Sequence, residues 1–337
     1  MKLNVETLRE ISVGAVELEV AENSFSFHRF TKEQRDLYEA RKTEFYEKAL
    51  APSGVKLSFR TDSKTLGIKG VTAPGSSRKY FSFDLFINGE KKEVFDNFSD
   101  VTERPETSAV YPTGSFDYTF DLGEGEKDVL LYLPWSVRVD FEEITAADGA
   151  KIESVKPEKK MLCFGDSITQ GYDAAFTSNS YISGLARCLK VEEYNKAIGG
   201  EVFWPRLAQT KEPFKPDLIT VAYGTNDWSK SASLEEFQSN CKGFFENLKK
   251  SYPDVPIFAI APIWRKSYLM EKPCGDFRGV YNFFVEVAKN IPNMTVIDGW
   301  EFVPQDSELF ADQVLHPNDR GFAYYADGLY RELKKYL

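Results

Sequence analysis

The sequence predicts a two-part chain: a β-sandwich, jelly-roll-like front domain over residues 1–155, followed by an α/β domain with a parallel sheet over 156–337. Three observations carry this. The length of 337 residues suits about two domains at roughly 150 residues each. Up to about residue 150, short runs alternate apolar and polar positions, the period of half-buried strands. From about residue 155 the texture changes to continuous apolar runs separated by helical stripes, the pattern of strands buried on both faces.

In the front half, VELEV, VKLSF, FDYTF, VLLYL and VRVDF read as strands punctuated by Gly, Pro and Asp. Phe81, Phe83, Leu85 and Ile87 alternate and run into Asn88-Gly89, two residues that tolerate the positive φ a tight hairpin requires. One helix interrupts the strands. Thr31 and Gln34 form a capping-box pattern at the start of TKEQRDLYEARKTEFYEKAL, and Pro52 and Gly54 close it. The charged segment Thr145–Lys160, with Gly149 and Pro157, reads as the junction.

In the rear half the strands are expected at Met161–Phe164, Leu218–Tyr223, Ile257–Ala261 and Thr295–Ile297. Between them Ser233 and Glu236 cap a helix whose Phe237, Cys241, Phe244, Phe245 and Leu248 form one apolar stripe. A further helix spans about Phe277–Lys289, and a last one carries Phe322, Ala326, Leu329 and Leu333.

Charge and composition exclude several functions. Lys and Arg number 42 against 52 Asp and Glu, a net −10, which disfavours nucleic acid and anionic membrane surfaces alike. No apolar run approaches the ~20 residues of a membrane span, and MKLNVETLREI lacks a signal peptide's apolar stretch, so a cytoplasmic location is expected. The four cysteines (Cys163, Cys188, Cys241, Cys274) are scattered and read as reduced thiols. With two histidines and no CxxC pair, no metal or other cofactor is expected.

Histidine scarcity directs the search for chemistry. Any imidazole base must be His28 or His316, and His28, in the alternating SFSFHRF, reads as structural. In open α/β sheets ligands bind beyond the carboxyl ends of the strands. The first such end leads into Gly165-Asp166-Ser167, the second into Gly224-Thr225-Asn226-Asp227, and His316 precedes the last helix. A serine nucleophile needs a base and an oxyanion site. Ser167, His316, Asn226 and the backbone N–H groups around Gly199-Gly200 could meet those needs on one rim. GDSIT is not the GxSxG elbow of α/β-hydrolases.

These residues resemble the SGNH, or GDSL, hydrolases. CFGDSITQG resembles the first family block, NKAIGG the second, YGTND the third and LHPND the last, all in family order over about 158–337. The resemblance implies a flavodoxin-like αβα fold. It also implies Ser167 as nucleophile, His316 as base, and the Ser167 amide, Gly200 and Asn226 as oxyanion donors. One departure stands out. The family usually has DxxH, but here Asp312 precedes His316 by four positions, with Gln313 at the expected place. Either a one-residue bulge delivers Asp312 to the imidazole, which is the preferred reading, or a backbone carbonyl orients it.

A jelly-roll-like module ahead of such a domain resembles the two-domain carbohydrate esterases that remove acetyl groups from plant polysaccharide fragments. The expected substrate is therefore an acetylated xylan- or mannan-derived oligosaccharide, with Trp228, Trp264 and Trp204 as candidate sugar platforms. No nucleic-acid or membrane partner is expected, and a homo-oligomer is possible. The alternatives are a lysophospholipase or thioesterase of the same family, and a carbohydrate-binding protein with a vestigial site.

Overall fold

The structure, a computed structural model, describes residues 1–336. The chain divides into two compact units. The first comprises Met1–Glu158 with the short segments Ala175–Ser178 and Glu192–Tyr194; the second is the remainder from Lys159 onward.

The first unit is a sandwich of two antiparallel sheets. One runs in the order Ser12–Val13, Lys56–Thr61, Lys127–Tyr132, Ser82–Ile87, Glu90–Asp96, with Ile152–Ser154 also on Lys56–Thr61. The other runs Glu17–Val20, Phe25–His28, Val137–Ala146, Thr65–Pro74, Ser115–Asp121. Alternation sends one face of each strand inward. Phe83 of the first sheet meets Phe116 and Phe141 of the second at ring distances of 5.5 and 6.2 Å. Each such buried ring contributes about 1.5–3 kcal/mol. The expected hairpin forms at Asn88 (φ +52°) and Gly89 (φ +84°), where both central residues are left-handed.

Two expectations change here. The capping box at Thr31 and Gln34 is present, but the single helix divides into Lys32–Arg41 and Thr43–Ala49 at Lys42, whose backbone is extended. The break leaves Phe45 edge-on to Tyr38 at 6.4 Å, so the two buried rings still pack across it. The segment read as a junction is partly sheet. Val137–Ala146 runs into it, and Ile152–Ser154 pairs with the strand at Lys56, because backbone pairing there satisfies N–H and C=O groups that composition alone assigned to solvent.

A third sheet runs in the order Val191–Asn195, Lys159–Gly165, Leu218–Ala222, Ile257–Ile260, Met294–Ile297, its last four strands all in the second unit. The last four pair in parallel. Numbered along the chain the order is 2-1-3-4-5, the flavodoxin-like arrangement, whose switch point lies between the first and third strands. Ser233 caps Leu234–Ser251, and the five stripe residues from Phe237 to Leu248 are all buried. This helix packs on Phe277–Lys289 through Phe245 and Phe284, 5.5 Å apart. Tyr181–Leu189 packs on Asp319–Leu333 with Tyr181 and Tyr325 stacked at 4.0 Å. Among the described residues no helix is long and apolar enough to cross a membrane.

Candidate active site

Ser167 sits at the turn from the strand Lys159–Gly165 into the short helix Ser167–Gln170. The turn is tight: a Cβ on Gly165 would lie 2.2 Å from Thr169 Oγ1, so only glycine fits. Asp166 caps the helix by accepting from the Ile168 N–H at 3.0 Å, and Gly171 ends it in the left-handed region at φ +109°. Burial pushes the Asp166 carboxyl up to about 6. Ser167 itself is nearly buried, and its Oγ lies 2.8 Å from His316 Nε2.

His316 is held by Asp312. The Asp312 Oδ2 atom accepts from Nδ1 at 2.8 Å, and Oδ1 accepts the backbone N–H groups of Val314, Leu315 and His316 at 3.0, 2.7 and 3.1 Å. The extra residue is absorbed by Gln313, at φ +56°. The orienting group is thus the carboxylate and not a backbone carbonyl. Burial would raise the Asp312 pKa, but the hydrogen bond and charge of His316, with the Leu315 and Val314 N–H groups, outweigh it and hold the carboxyl well below the usual range. An ionised carboxylate only accepts, so Nδ1 carries the proton and Nε2 is left to accept from the serine hydroxyl.

A polar turn at residues 199–201 joins the helix that begins at Ser167 to the one that carries Asn226. Gly200 adopts φ +88°, a conformation that suits glycine. The neighbouring Gly199 N–H donates to Gln170 Oε1 at 2.6 Å. Asn226 lies in the short helix Thr225–Lys230, and its Nδ2 donates to the Glu201 carbonyl at 3.1 Å. Lys230 donates to the Gly200 carbonyl at 2.5 Å. The helix therefore pins the Gly200 turn at two successive carbonyls. Asp227 accepts from Phe203 and Gly224 N–H groups at 2.9 and 3.1 Å, a structural role, and burial pushes it up to about 7.

Two of the three tryptophans expected as sugar platforms, Trp228 and Trp264, are core residues. Trp228 is 1% exposed, donates its indole N–H to the Gly275 carbonyl at 3.0 Å, and lies under the Arg265 guanidinium at 4.6 Å. Trp264 is 7% exposed and packs on Phe310. Neither offers a face to a sugar, because the aromatic surface that would stack on a ligand is spent in the core. Trp204 keeps partial exposure.

Other groups at the site carry no sequence signal in spacing or periodicity. Tyr172 stacks on the His316 ring at 5.7 Å, Asp173 Oδ2 lies 3.5 Å from Nδ1, and Arg265 donates to the Thr225 carbonyl and hydroxyl. Asp173, Asp312 and His316 offer one ligand atom each within 4.8 Å, the one such trio among the described residues. Hydrogen bonds with Asp312 and Ser167 already engage both ring nitrogens of His316.

An α/β domain with a hydrogen-bonded Ser–His–Asp chain at its switch point has the layout of a serine acyl hydrolase. Residues 163–324 match the model of the GDSL-like lipase/acylhydrolase family. Among solved structures, a salicylyl-acyltransferase from a tetracycline biosynthetic pathway, SsfX3, is 22% identical with TM-score 0.80 over 96% of this chain and 94% of that one. A family two carbohydrate esterase from Clostridium thermocellum is 17% identical, TM-score 0.63, over 84% and 92%. An acetyl xylan esterase from Butyrivibrio proteoclasticus is 15% identical, TM-score 0.58, over 84% and 89%. At these identities the likeness is one of fold, two-domain organisation included. No curated protein matches by sequence.

Proposed function

We propose that the protein is a serine esterase that removes O-acetyl groups from oligosaccharides. The observation that carries the chemistry is the continuous chain Ser167 Oγ–His316 Nε2–Nδ1–Asp312 Oδ2, with 2.8 Å at both links. His316 takes the Ser167 proton as Oγ attacks the ester carbonyl. The carbonyl oxygen becomes an oxyanion, for which the Ser167 and Gly200 N–H groups and the Asn226 amide are the assigned donors. The sugar alcohol leaves with the proton from His316. Water, deprotonated by His316, then attacks the acyl-enzyme and releases acetate.

The acetylated-sugar assignment is supported by the two-domain organisation shared with carbohydrate esterases. The buried Trp228 and Trp264 lend it no support. Because the acyl-enzyme can also pass its acyl group to another alcohol, transfer is a second outcome of the same chemistry, and it is the activity named for SsfX3.

The test is incubation with acetylated xylo- and manno-oligosaccharides, with and without a chelator, followed by mass spectrometry. Loss of acetyl groups that is insensitive to chelation and abolished by Ser167→Ala is the expected result. Preference for medium-chain or thioester substrates would overturn the sugar assignment, and full activity in Ser167→Ala would overturn the mechanism. Glycan binding without any ester turnover would favour a vestigial site.

A further inference from the structure

His316 Nδ1 faces two carboxylates. Asp312 Oδ2 accepts its proton at 2.8 Å, and Asp173 Oδ2 lies at 3.5 Å from the same nitrogen. The two differ in setting. The Asp312 side chain is 27% exposed and comes from the histidine's own loop, whereas that of Asp173 is fully buried. Asp173 belongs to the turn that leaves the Ser167 helix. There the Tyr172 N–H returns to the Ser167 carbonyl at 2.9 Å, and the Tyr172 ring stacks on the imidazole. Consecutive residues of one turn thus bring a ring face and a carboxylate to His316.

The backbone of Asp173 is left-handed at φ +70°, a conformation L-residues adopt at a cost and hold where the surroundings enforce it. One carboxylate suffices to fix the tautomer, since Nδ1 carries a single proton. A second buried carboxylate aimed at that nitrogen does something else. It adds negative charge where the imidazolium forms, in a site where burial strengthens the attraction. Other charged groups around this cluster are Asp166 on the serine turn, Arg265, whose charge acts on Asp166 and Asp312, and Lys230, whose charge acts on Asp166.

We propose that Asp173 is a second positioning carboxylate of the His316 base, stabilising the imidazolium and accepting the Nδ1 proton when Asp312 is removed. The proposal rests on the esterase reading above.

It is tested with the full chain on p-nitrophenyl acetate, measuring kcat/KM against pH and thermal midpoints for Asp173→Asn, Asp312→Asn, the double variant and Ser167→Ala. Where one carboxylate alone orients the histidine, its Asn variant loses ~10⁴-fold. Here Asp312→Asn should lose far less, and the double variant should fall below the product of the singles. A neighbouring carboxylate favours the charged imidazole, so Asp173→Asn should move the acid limb of the profile to lower pH. A merely structural residue would lower the thermal midpoint and leave that limb in place, which overturns the proposal. A ~10⁴-fold loss in Asp312→Asn overturns it too, and that arm decides if Asp173→Asn does not fold. An active Ser167→Ala removes the esterase reading itself; an inactive one beside an unshifted Asp173→Asn profile removes only the role of Asp173.

Discussion

Asp312 reaches His316 across four residues, with one oxygen on the imidazole and the other on three successive backbone N–H groups. The loop is closed by Gln313, whose left-handed backbone takes up the residue that the usual three-residue spacing lacks. A carboxylate so anchored presents Oδ2 to the ring with little freedom to turn away.

This geometry makes Gln313 a place where conformation and chemistry separate. A non-glycine residue in the left-handed region costs about 1–2 kcal/mol. Gln313→Gly should leave kcat/KM near the wild-type value and hold or raise the denaturant midpoint. Gln313→Val, with its β-branch, should lose about 1 kcal/mol or more. Equal stability of the two variants would mean that the left-handed turn carries no strain.

Asn226 should act on kcat. Removing an oxyanion donor typically costs ~10²–10³ in kcat. Asn226→Ala is expected in that range with KM little changed, measured at steady state on an acetyl ester. A rise in KM alone would assign the amide to ground-state binding.

Lys196 and Glu212 form a fully buried ion pair at 2.8 Å in the second unit. Removing one partner of such a pair strands the other charge and costs about 3–5 kcal/mol. Lys196→Met should show this in denaturant unfolding, and Lys196→Met with Glu212→Gln should recover much of it. No recovery in the double variant would mean that packing, and not the stranded charge, sets the loss.

The buried acids set a pH dependence of stability. Asp227 is raised to about 7 and Asp166 to about 6 from a usual 3.8, in both cases by burial first. The folded state therefore binds these protons more tightly than the unfolded chain. Their contribution is complete below about 3.8 and is lost as pH rises through about 6 to 7. Asp312 has the opposite sign, contributing above its unfolded value and losing that contribution as pH falls. Thermal midpoints measured from pH 5 to 8 should fall with pH more steeply in the wild type than in Asp227→Asn. Parallel slopes would remove Asp227 from the titration.

Much of the architecture was legible because it is local. The change of period near residue 155 marks where alternating strands give way to a parallel sheet. Ser233 with Glu236 and Thr31 with Gln34 announce helix starts through side chains that reach only three residues. The break at Lys42 and the strand Ile152–Ser154 were not legible, since each depends on what a distant segment offers.

The sequence by itself determined the two-part organisation, the GDSIT turn, the single histidine available to the second domain, and the residue types the chemistry requires. Only the tertiary structure decided which of them meet. Ser167 and His316, 149 residues apart, come within 2.8 Å because the last helix, packed on Tyr181–Leu189 through Tyr181 and Tyr325, carries the loop before it back to the end of the first strand. The same folding turned Trp228 into the core, brought Asp312 across a four-residue gap, and set Asp173 beside a nitrogen that no spacing connects to it. The physical reason is one of range. Turn, cap and strand preferences are settled within a few residues, whereas burial and electrostatic contact depend on which elements the sheet places together.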